Sequence, residues 1–336
     1  MTLDSEPSPD PEAGEPEFCG LADHVVKSTS ASPPGQWPVM QYGLKEVWTR
    51  FGTKGEGARV AVIDTGVNTK HPALAKVFAH DLTGDGVVDA QGHGTHCCGI
   101  VGSAESAPVI GVAPGCELHS FRVFNNRGVC RNEWIVAALR EITSGKHGRF
   151  HVVSMSLGSE QPSESMRMLL LEMMARGYLI VAASGNDGSH DLQPRRRFGT
   201  VGFPAAFVST IAVGSTNKAR KRSSYSSTGN KMVVTGPGED ITGCWVGGGK
   251  GDYATISGTS MACPFVAGCL ALLVSYAAAR GLPAPRLDTV LYCIGVSAVD
   301  LETAGYDDYT GFGDIHPEKL ILAYDRLARS LSAGKF

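Results

Sequence analysis

The sequence has no excess of charge of one sign and no apolar run long enough to cross a membrane, and each absence excludes a class of protein. Its 336 residues carry 30 basic and 33 acidic side chains, a formal net charge of −3. Nucleic acid is not expected as a partner, because a protein that contacts many phosphates normally has a basic balance. No membrane partner is expected either, since the apolar segment at 265–279 is shorter than the roughly 18 residues that span a bilayer. Peptides or small molecules remain as the expected partners.

The cysteines lack the regular spacing of a disulfide framework. There are nine, an odd number, and several lie in apolar segments, as Cys97, Cys116, Cys269 and Cys293 do. This pattern is typical of reduced, buried thiols and favours an intracellular, cytoplasmic location. The N-terminal segment agrees, because it has neither the basic region nor the apolar region of a secretory signal. Secretion would be expected only of a mature form cut from a longer precursor.

The chain divides into a tail and one domain. Residues 1–36 are acidic and rich in proline, and such a segment cannot bury enough apolar surface to offset its ordering entropy. From Trp37 onward the composition shows no break. We therefore predict a flexible tail at 1–36 and a single domain at 37–336.

Within this domain, short β-branched runs alternate with helical patterns. Apolar runs indicate strands at 59–64, 117–124, 151–157, 179–184 and 210–215. Helical periodicity at 132–143 follows Asn132 as an N-cap, and a second helix ends at Gly177. The alternation predicts an α/β fold of three layers, with a mostly parallel central sheet and helices on both faces. Sites in such sheets lie outside the carboxyl ends of the strands.

Four polar residues lie where these elements begin or end. Asp64 ends the first strand, and Asn186 follows the strand at 179–184. Ser260 precedes a long apolar helix, where unpaired N–H groups favour developing negative charge. His93 lies in a glycine-rich turn, "GHGTH". Taken singly, each residue has a plainer interpretation as a cap, a turn residue or an exposed side chain.

The segment "QGHGTHCCGIVG" at 91–102 also allows a metal interpretation. It holds His93, His96, Cys97 and Cys98 within six positions. Structural zinc sites more often use separated pairs of ligands, and no second pair follows here. Adjacent cysteines also differ from the C-x-x-C spacing of redox sites. The alternatives left for His93 are an exposed turn residue and a catalytic base.

The order of five segments resembles the subtilase family of serine proteases. These segments are "VIDTG", "GHGTH", "SMSLG", "ASGND" and "GTSMA", and the resemblance covers about residues 37–320. It implies a serine endopeptidase that acts on peptide or protein substrates, either broadly or on one dedicated peptide. Asp64, His93 and Ser260 would form its triad, and Asn186 would bind the oxyanion. The alternative is a catalytically silent subtilase fold that binds or regulates, which is less expected because all four positions are filled.

The resemblance also implies the walls of the substrate pocket. One wall would follow the strand at 151–157 and the other would follow the strand at 179–184. Small residues there imply an open pocket, which suits a large apolar or a broad preference. The residues are Ser156, Leu157 and Gly158 on one side and Ala183, Ser184 and Gly185 on the other.

An acidic loop before His93 brings several oxygen ligands together. Subtilases with similar loops bind calcium, so calcium is the one cofactor that the resemblance suggests, and no organic cofactor is expected. The spacing is not that of an EF-hand, and the alternative is an acidic turn without an ion. The candidate ligands are Asp81, Thr83, Asp85, Asp89 and Gln91.

Overall fold

The computed structural model describes residues 25–30, 36–188, 199–247 and 252–332. Its strands are β1 (Val25–Ser30), β2 (Arg59–Asp64), β3 (Phe78–Asp81), β4 (Glu117–Arg122), β5 (Val152–Met155), β6 (Leu179–Ala183), β7 (Ile211–Thr216), β8 (Val234–Pro237), β9 (Ile241–Cys244) and β10 (Tyr253–Ser257). Its helices are α1 (Trp37–Gln41), α2 (Leu44–Phe51), α3 (His93–Gly102), α4 (Asn132–Thr143), α5 (Glu164–Ala175), α6 (Thr259–Ala279), α7 (Leu287–Ser297) and α8 (Pro317–Ser332), with a 3-10 turn at Pro72–Leu74.

Seven of the strands form a parallel sheet in the order β3-β4-β2-β5-β6-β7-β8. A parallel sheet needs strands that are apolar on both faces, because helices cover each side. β2 meets this need, since Val60 and Val62 enter one hydrophobic cluster while Ala61 and Ile63 enter the other. The predicted parallel sheet is confirmed.

Helices cover both faces of this sheet. Side chains of α3 and α6 pack in the cluster on one face, and side chains of α4 and α5 pack in the cluster on the other. Within the described residues, α6 alone is long and apolar enough to span a bilayer, and 94% of its most apolar window is buried inside the protein. It is a core helix, so the three-layer α/β prediction is confirmed.

Part of the predicted flexible tail is a strand. Residues Val25–Ser30 form β1, which pairs antiparallel with β10, and β9 completes this three-stranded sheet. The edge of β10 offers unpaired backbone groups, and a segment that satisfies them is ordered without a large apolar content of its own. The remainder of the predicted tail up to residue 35 lies outside the described residues, and Gln36 hydrogen-bonds Ile110 N through Oε1.

One of the two predicted helix ends is wrong by one residue. α4 begins at Asn132 itself, and its N-cap is Arg131, with no side-chain cap. Asn132 lies inside the first turn, where its Nδ2 donates to Ser165 Oγ at 3.2 Å. Gly177 follows α5 with a φ of 82°, a left-handed conformation that favours glycine and ends the helix as predicted.

Candidate active site

Asp64 and His93 form a buried carboxylate–imidazole pair at the carboxyl edge of the parallel sheet. Asp64 ends β2, and His93 is the first residue of α3. His93 Nδ1 and Asp64 Oδ1 are 2.8 Å apart, and both side chains are 0% exposed. Thr65 N donates to the same oxygen at 2.7 Å. A hydrogen bond from Nδ1–H leaves the lone pair of the imidazole on Nε2, the nitrogen that can accept a further proton.

The glycines of "GHGTH" allow α3 to approach the turn after Asp64. A Cβ on Gly94 would lie 2.3 Å from the carbonyl oxygen of Gly66, so no larger residue fits there. Gly92 adopts a φ of 96°, and its Cβ would lie 2.7 Å from the ring of Trp245. The close approach of Gly94 to the backbone of Gly66 is what places His93 next to Asp64.

Burial and the neighbouring carboxylates shift the pKa of His93 in opposite directions. Burial alone lowers the pKa of an imidazole, because it penalises the charged form. The Asp64 carboxylate, its hydrogen bond and the more distant Asp89 outweigh burial, and the pKa of His93 is raised above its usual value. The imidazolium that forms when His93 accepts a proton is therefore stabilised in place.

Ser260 lies in the first turn of α6, close to His93. The Sγ atom of Cys97 is 3.8 Å from His93 Nδ1 and 3.5 Å from the carbonyl oxygen of Ser260, so the base and the serine flank one thiol. Ser156 Oγ donates to that carbonyl at 2.9 Å, and Ser260 Oγ lies 3.5 Å from the carbonyl oxygen of Ser156. The backbone N–H of Ser260 is among the first four of the helix, which have no intrahelical acceptor.

Asn186 is fixed beside the same turn. Its Oδ1 accepts hydrogen bonds from the backbone N and from Oγ1 of Thr259, both at 2.9 Å. A Cβ built on Gly258 would lie 3.3 Å from Asn186 Nδ2. Because Oδ1 is held by two donors, the amide presents its Nδ2 protons as donors at the turn that carries Ser260. Thr259 is a residue that sequence reasoning missed, although it stands directly before Ser260 in "GTSMA".

The two predicted pocket walls follow neighbouring strands, β5 and β6. Their side chains mostly point inward: Ser156 and Leu157 are buried, and so are Ala183 and Ser184. Gly158 and Gly185 are partly exposed, and Gly185 has a φ of 106° that favours glycine. What these segments present on the outside is mainly backbone, the group that pairs with an extended peptide.

In the structure, the potential metal ligands of the segment 91–102 have different partners. His96 Nε2 lies 3.1 Å and 3.2 Å from the carbonyl oxygens of Ile241 and Ala254, on the sheet of β9 and β10. Among the described residues, His93 and Cys97 come within 4.8 Å of one another and of Asp64, and His96 and Cys98 do not join this buried group. The thiol pKa of Cys97 is raised well above its usual value by burial and by Asp64, so the sulfur stays protonated and is a poor ligand.

The carboxylates in and beside the acidic loop 82–92, between β3 and α3, accept hydrogen bonds from the protein. Asp81 accepts from Thr83 N and Oγ1 and from Gly86 N, and Asp85 Oδ2 accepts from Asn126 N. Although its partial burial acts in the opposite direction, these bonds and nearby Arg122 hold the pKa of Asp81 below its usual value.

Asp89 is enclosed by five hydrogen bonds. Its Oδ1 accepts from Thr65 Oγ1 and from the backbone N of Gln91 and Gly92, while its Oδ2 accepts from the N and Oγ1 of Thr95. It is 3% exposed, and burial raises its pKa despite these bonds. Asp89 therefore joins the loop, the turn after Asp64 and the first turn of α3.

In this arrangement, the five predicted calcium ligands hydrogen-bond to groups of the protein. In the described residues, Asp81, Asp85 and Asp89 do not form a set whose carboxylate oxygens all lie within 4.8 Å of one another. The buried guanidinium of Arg122 donates to the carbonyl oxygens of Gly86 and Val88 at 2.7 and 2.8 Å. A cationic side chain therefore already binds two backbone oxygens of this loop, and Gln91 contacts the carbonyl of Asn125 through Nε2 at 3.4 Å. The calcium site stays a prediction.

A carboxylate, an imidazole and a hydroxyl gathered at a helix N-terminus, with an amide donor beside them, are the arrangement of a serine hydrolase. The sequence model of the subtilase family matches residues 55–313. An intracellular serine protease of Paenibacillus polymyxa is 36% identical over 253 residues, which are 72% of this chain and 74% of that protein. Subtilisin E of Bacillus subtilis (strain 168) is 33% identical over 262 residues, which are 75% of this chain and 64% of that protein. Subtilisin Savinase of Lederbergia lenta is 36% identical over 225 residues, or 66% of this chain and 78% of that protein.

The chain belongs to the subtilase family, and it is a subtilisin-like serine endopeptidase. The resemblance carried by its sequence segments is thereby confirmed. Peptides or proteins are its substrates.

Proposed function

We propose that Ser260, His93 and Asp64 perform peptide hydrolysis through an acyl-enzyme. Ser260 Oγ attacks the peptide carbonyl carbon while His93 Nε2 accepts the hydroxyl proton. The C–N bond breaks, and His93 returns that proton to the leaving amine. Water then attacks the ester in the same way, which releases the acid and regenerates Ser260. Asp64 fixes the tautomer of His93 and stabilises its imidazolium, without itself being protonated.

Two donors would bind the oxyanion of each tetrahedral intermediate. One is Nδ2 of Asn186, whose amide is held in place by Thr259. The other is the backbone N–H of Ser260 at the start of α6, where the helix dipole also favours negative charge. Both are positioned before substrate arrives, so their reorganisation costs little during the reaction.

The observation that carries the proposal is the 2.8 Å contact between His93 Nδ1 and Asp64 Oδ1 inside a fully buried pair. A buried, oriented imidazole with a raised pKa is a general base, whereas a histidine that only packs needs no carboxylate at this distance. The catalytically silent alternative does not explain why the pair lies beside the serine.

We propose that the substrate binds as an extended strand across the ends of β5 and β6. The exposed backbone at Gly158 and Gly185 supports this mode, because it offers hydrogen bonds without side-chain obstruction. A small-residue pocket between them suits a large apolar or a broad preference.

We further propose that the enzyme works inside the cell. The relative from Paenibacillus polymyxa is named as intracellular. None of the eight cysteines in the described ranges is in a disulfide. Thiols that remain reduced are typical of a reducing compartment.

The experiment that tests the proposed triad is labelling with a fluorophosphonate probe, which reacts with activated serines. The wild type should be labelled and Ser260→Ala should not. Ser275→Ala is the matched control, since this serine lies on the same helix α6 and bonds to Thr53 and Glu56 away from the site. Absence of labelling in a folded wild type would support the silent alternative.

Cleavage of a peptide library distinguishes a dedicated processing enzyme from a broad protease. One tight sequence motif would indicate maturation of a dedicated substrate. Cleavage at many unrelated sites would indicate broad proteolysis.

A further inference from the structure

Three potential metal ligands meet at the edge of the parallel sheet, away from the catalytic residues. His80 lies on the edge strand β3, Glu141 lies in the last turn of α4, and His147 lies in the loop after that helix. One ligand atom from each residue lies within 4.8 Å of the other two. Glu141 and His147 lie six residues apart in the chain, and the fold brings His80 to them from the edge strand β3.

The distances within this group are close to those of a bound metal. His147 Nε2 is 2.7 Å from Glu141 Oε1, and His80 Nδ1 is 4.0 Å from the same oxygen. The His80 and His147 rings lie 4.2 Å apart between centroids. Ligands of a tetrahedral ion at about 2.0–2.1 Å are separated by roughly 3.3 Å, so small side-chain movements would suffice.

A chain of hydrogen bonds sets the tautomer of His80. The Glu117 carboxylate is held by Arg59 and lies 2.9 Å from His119 Nε2, which must carry the proton because a carboxylate only accepts. His119 Nδ1 is then an acceptor, and His80 Nε2 donates to it at 2.9 Å. A neutral His80 therefore has its lone pair on Nδ1, the nitrogen that faces Glu141.

This lone pair faces a carboxylate oxygen, and two acceptors that face each other favour a cation between them. The C-terminal end of α4 adds the negative end of its dipole. The hydrogen bond from His80 to His119 also resembles the outer-shell bonds that orient histidine ligands in metal sites.

We propose that His80 Nδ1, Glu141 and His147 bind a first-row transition metal ion, with Zn²⁺ as the best match. Two imidazoles and one carboxylate suit zinc and not calcium, which takes oxygen ligands. The side chains are 15%, 23% and 17% exposed, so the site opens on one side to a fourth ligand such as water. Binding replaces the His147–Glu141 hydrogen bond, and the ring proton moves from Nε2 to Nδ1 through exchange with water, which leaves the Nε2 lone pair for the metal.

The ammonium of Lys146 competes with the metal. Its Nζ lies 3.1 Å from Glu141 Oε1, while the side chain is 65% exposed and can move into solvent. A metal that displaces it would join the edge strand β3 to α4 and the loop that follows. The site would thus stabilise the sheet edge without contacting the substrate.

The test is a zinc titration of the untagged full chain carrying Ser260→Ala, which prevents self-digestion. Zinc at about 100-fold above its Kd should raise Tm by about 5 °C or more. Adding His80→Gln and His147→Gln together should abolish this rise, whereas His316→Gln, a distant half-buried histidine, should leave it intact. Lys146→Gln should tighten binding. Cobalt(II) should give the visible spectrum of a tetrahedral N,O site.

Two outcomes would overturn the proposal. One is an equal zinc effect with and without His80 and His147, which would place the metal elsewhere, for example at Asp64, His93 and Cys97. The other is no zinc effect at millimolar metal in a protein that is folded by circular dichroism. In that case the cluster is a hydrogen-bond network that holds the sheet edge without an ion.

Discussion

The catalytic end of the sheet and the loop 82–92 lie side by side, and both contain buried charged groups, but the partners of those groups differ. Asp64 bonds to His93, a side chain that can gain and lose a proton. Asp89 bonds only to backbone N–H groups and threonine hydroxyls, and these do not titrate. Burial of a charge therefore does not by itself indicate function. A titratable partner does.

Arg122, like Asp89, has a structural role. It stands opposite Asp64 in the register of β2 and β4 and is 1% exposed. Its guanidinium donates to the carbonyls of Phe124, Gly86 and Val88 and to Asn126 Oδ1. Substitution of Asp64 is thus expected to reduce activity, whereas substitution of the neighbouring Arg122 is expected to reduce stability.

The largest effect is expected from Asp64→Asn, which keeps the shape of the side chain and removes its charge. kcat should fall by about 10⁴-fold, the size of the loss that removal of the triad carboxylate causes in other enzymes with the triad, subtilisin included. The reason is that His93 loses the carboxylate that orients it. A fluorogenic peptide assay measures the loss, and Asp288→Asn, at an exposed carboxylate in the first turn of α7, serves as control.

The same variant should change the pH profile. His93 accepts a proton only when neutral, so activity is lost as pH falls through its pKa. Asp64 raises that pKa above the usual 6.5, which places the acid limb of the wild type above pH 6.5. Removing the carboxylate lowers the pKa, and the residual activity of Asp64→Asn should persist to lower pH. An acid limb that does not move would assign it to another group.

Arg122→Met should show the opposite response, a loss of stability. The change leaves several buried carbonyl oxygens without their donor, at about 1–3 kcal/mol each where water cannot replace it. We expect the free energy of unfolding to fall by about 3–5 kcal/mol, measured by urea denaturation in the Ser260→Ala background. Arg122→Lys, which retains a cation but not the planar fork, should recover part of this loss. A change below about 1 kcal/mol would show that the loop does not depend on Arg122.

The substitution Asn186→Asp tests the two ends of the amide separately, because Oδ1 accepts from Thr259 and Nδ2 is the proposed oxyanion donor. The aspartate keeps an oxygen for Thr259 but replaces the Nδ2 donor with an acceptor. kcat should fall by about 10²–10³-fold, a magnitude taken from loss of the oxyanion-hole asparagine in subtilisin, while Tm changes little. Asn186→Ala should lose activity to a similar degree and also destabilise the turn before Ser260. Full activity in Asn186→Asp would reduce Asn186 to a support for Thr259.

Much of this fold could be predicted because its signals are local. Strands that are apolar on both faces, as at 59–64, indicate a buried parallel sheet, and ordered motifs indicate the family. Strand β1 could not be found in this way, since its order comes from pairing with β10, more than 200 residues further along the chain. The position of Asp64 at the carboxyl end of β2 could be interpreted from the sequence, because the location of sites in parallel sheets follows from the topology itself.

The roles of individual polar residues were harder to predict. The acidic loop has a composition that suits calcium, but Arg122 reaches it from β4, and nothing in the spacing indicates that contact. Local sequence shows which chemical groups are present. Which partner satisfies each group depends on the tertiary structure.

The smallest effect is expected from calcium. Because Arg122 already occupies the carbonyl oxygens of Gly86 and Val88, adding millimolar CaCl2 to metal-free Ser260→Ala protein should change Tm by less than about 1 °C. Calcium is added to stripped protein because a chelator alone would also remove zinc from the His80 site. A rise of about 5 °C that is lost in Asp81→Asn would instead give the loop a resident ion. Loop 82–92 would then use its charges to bind a ligand, and the contrast with the catalytic end of the sheet would no longer hold.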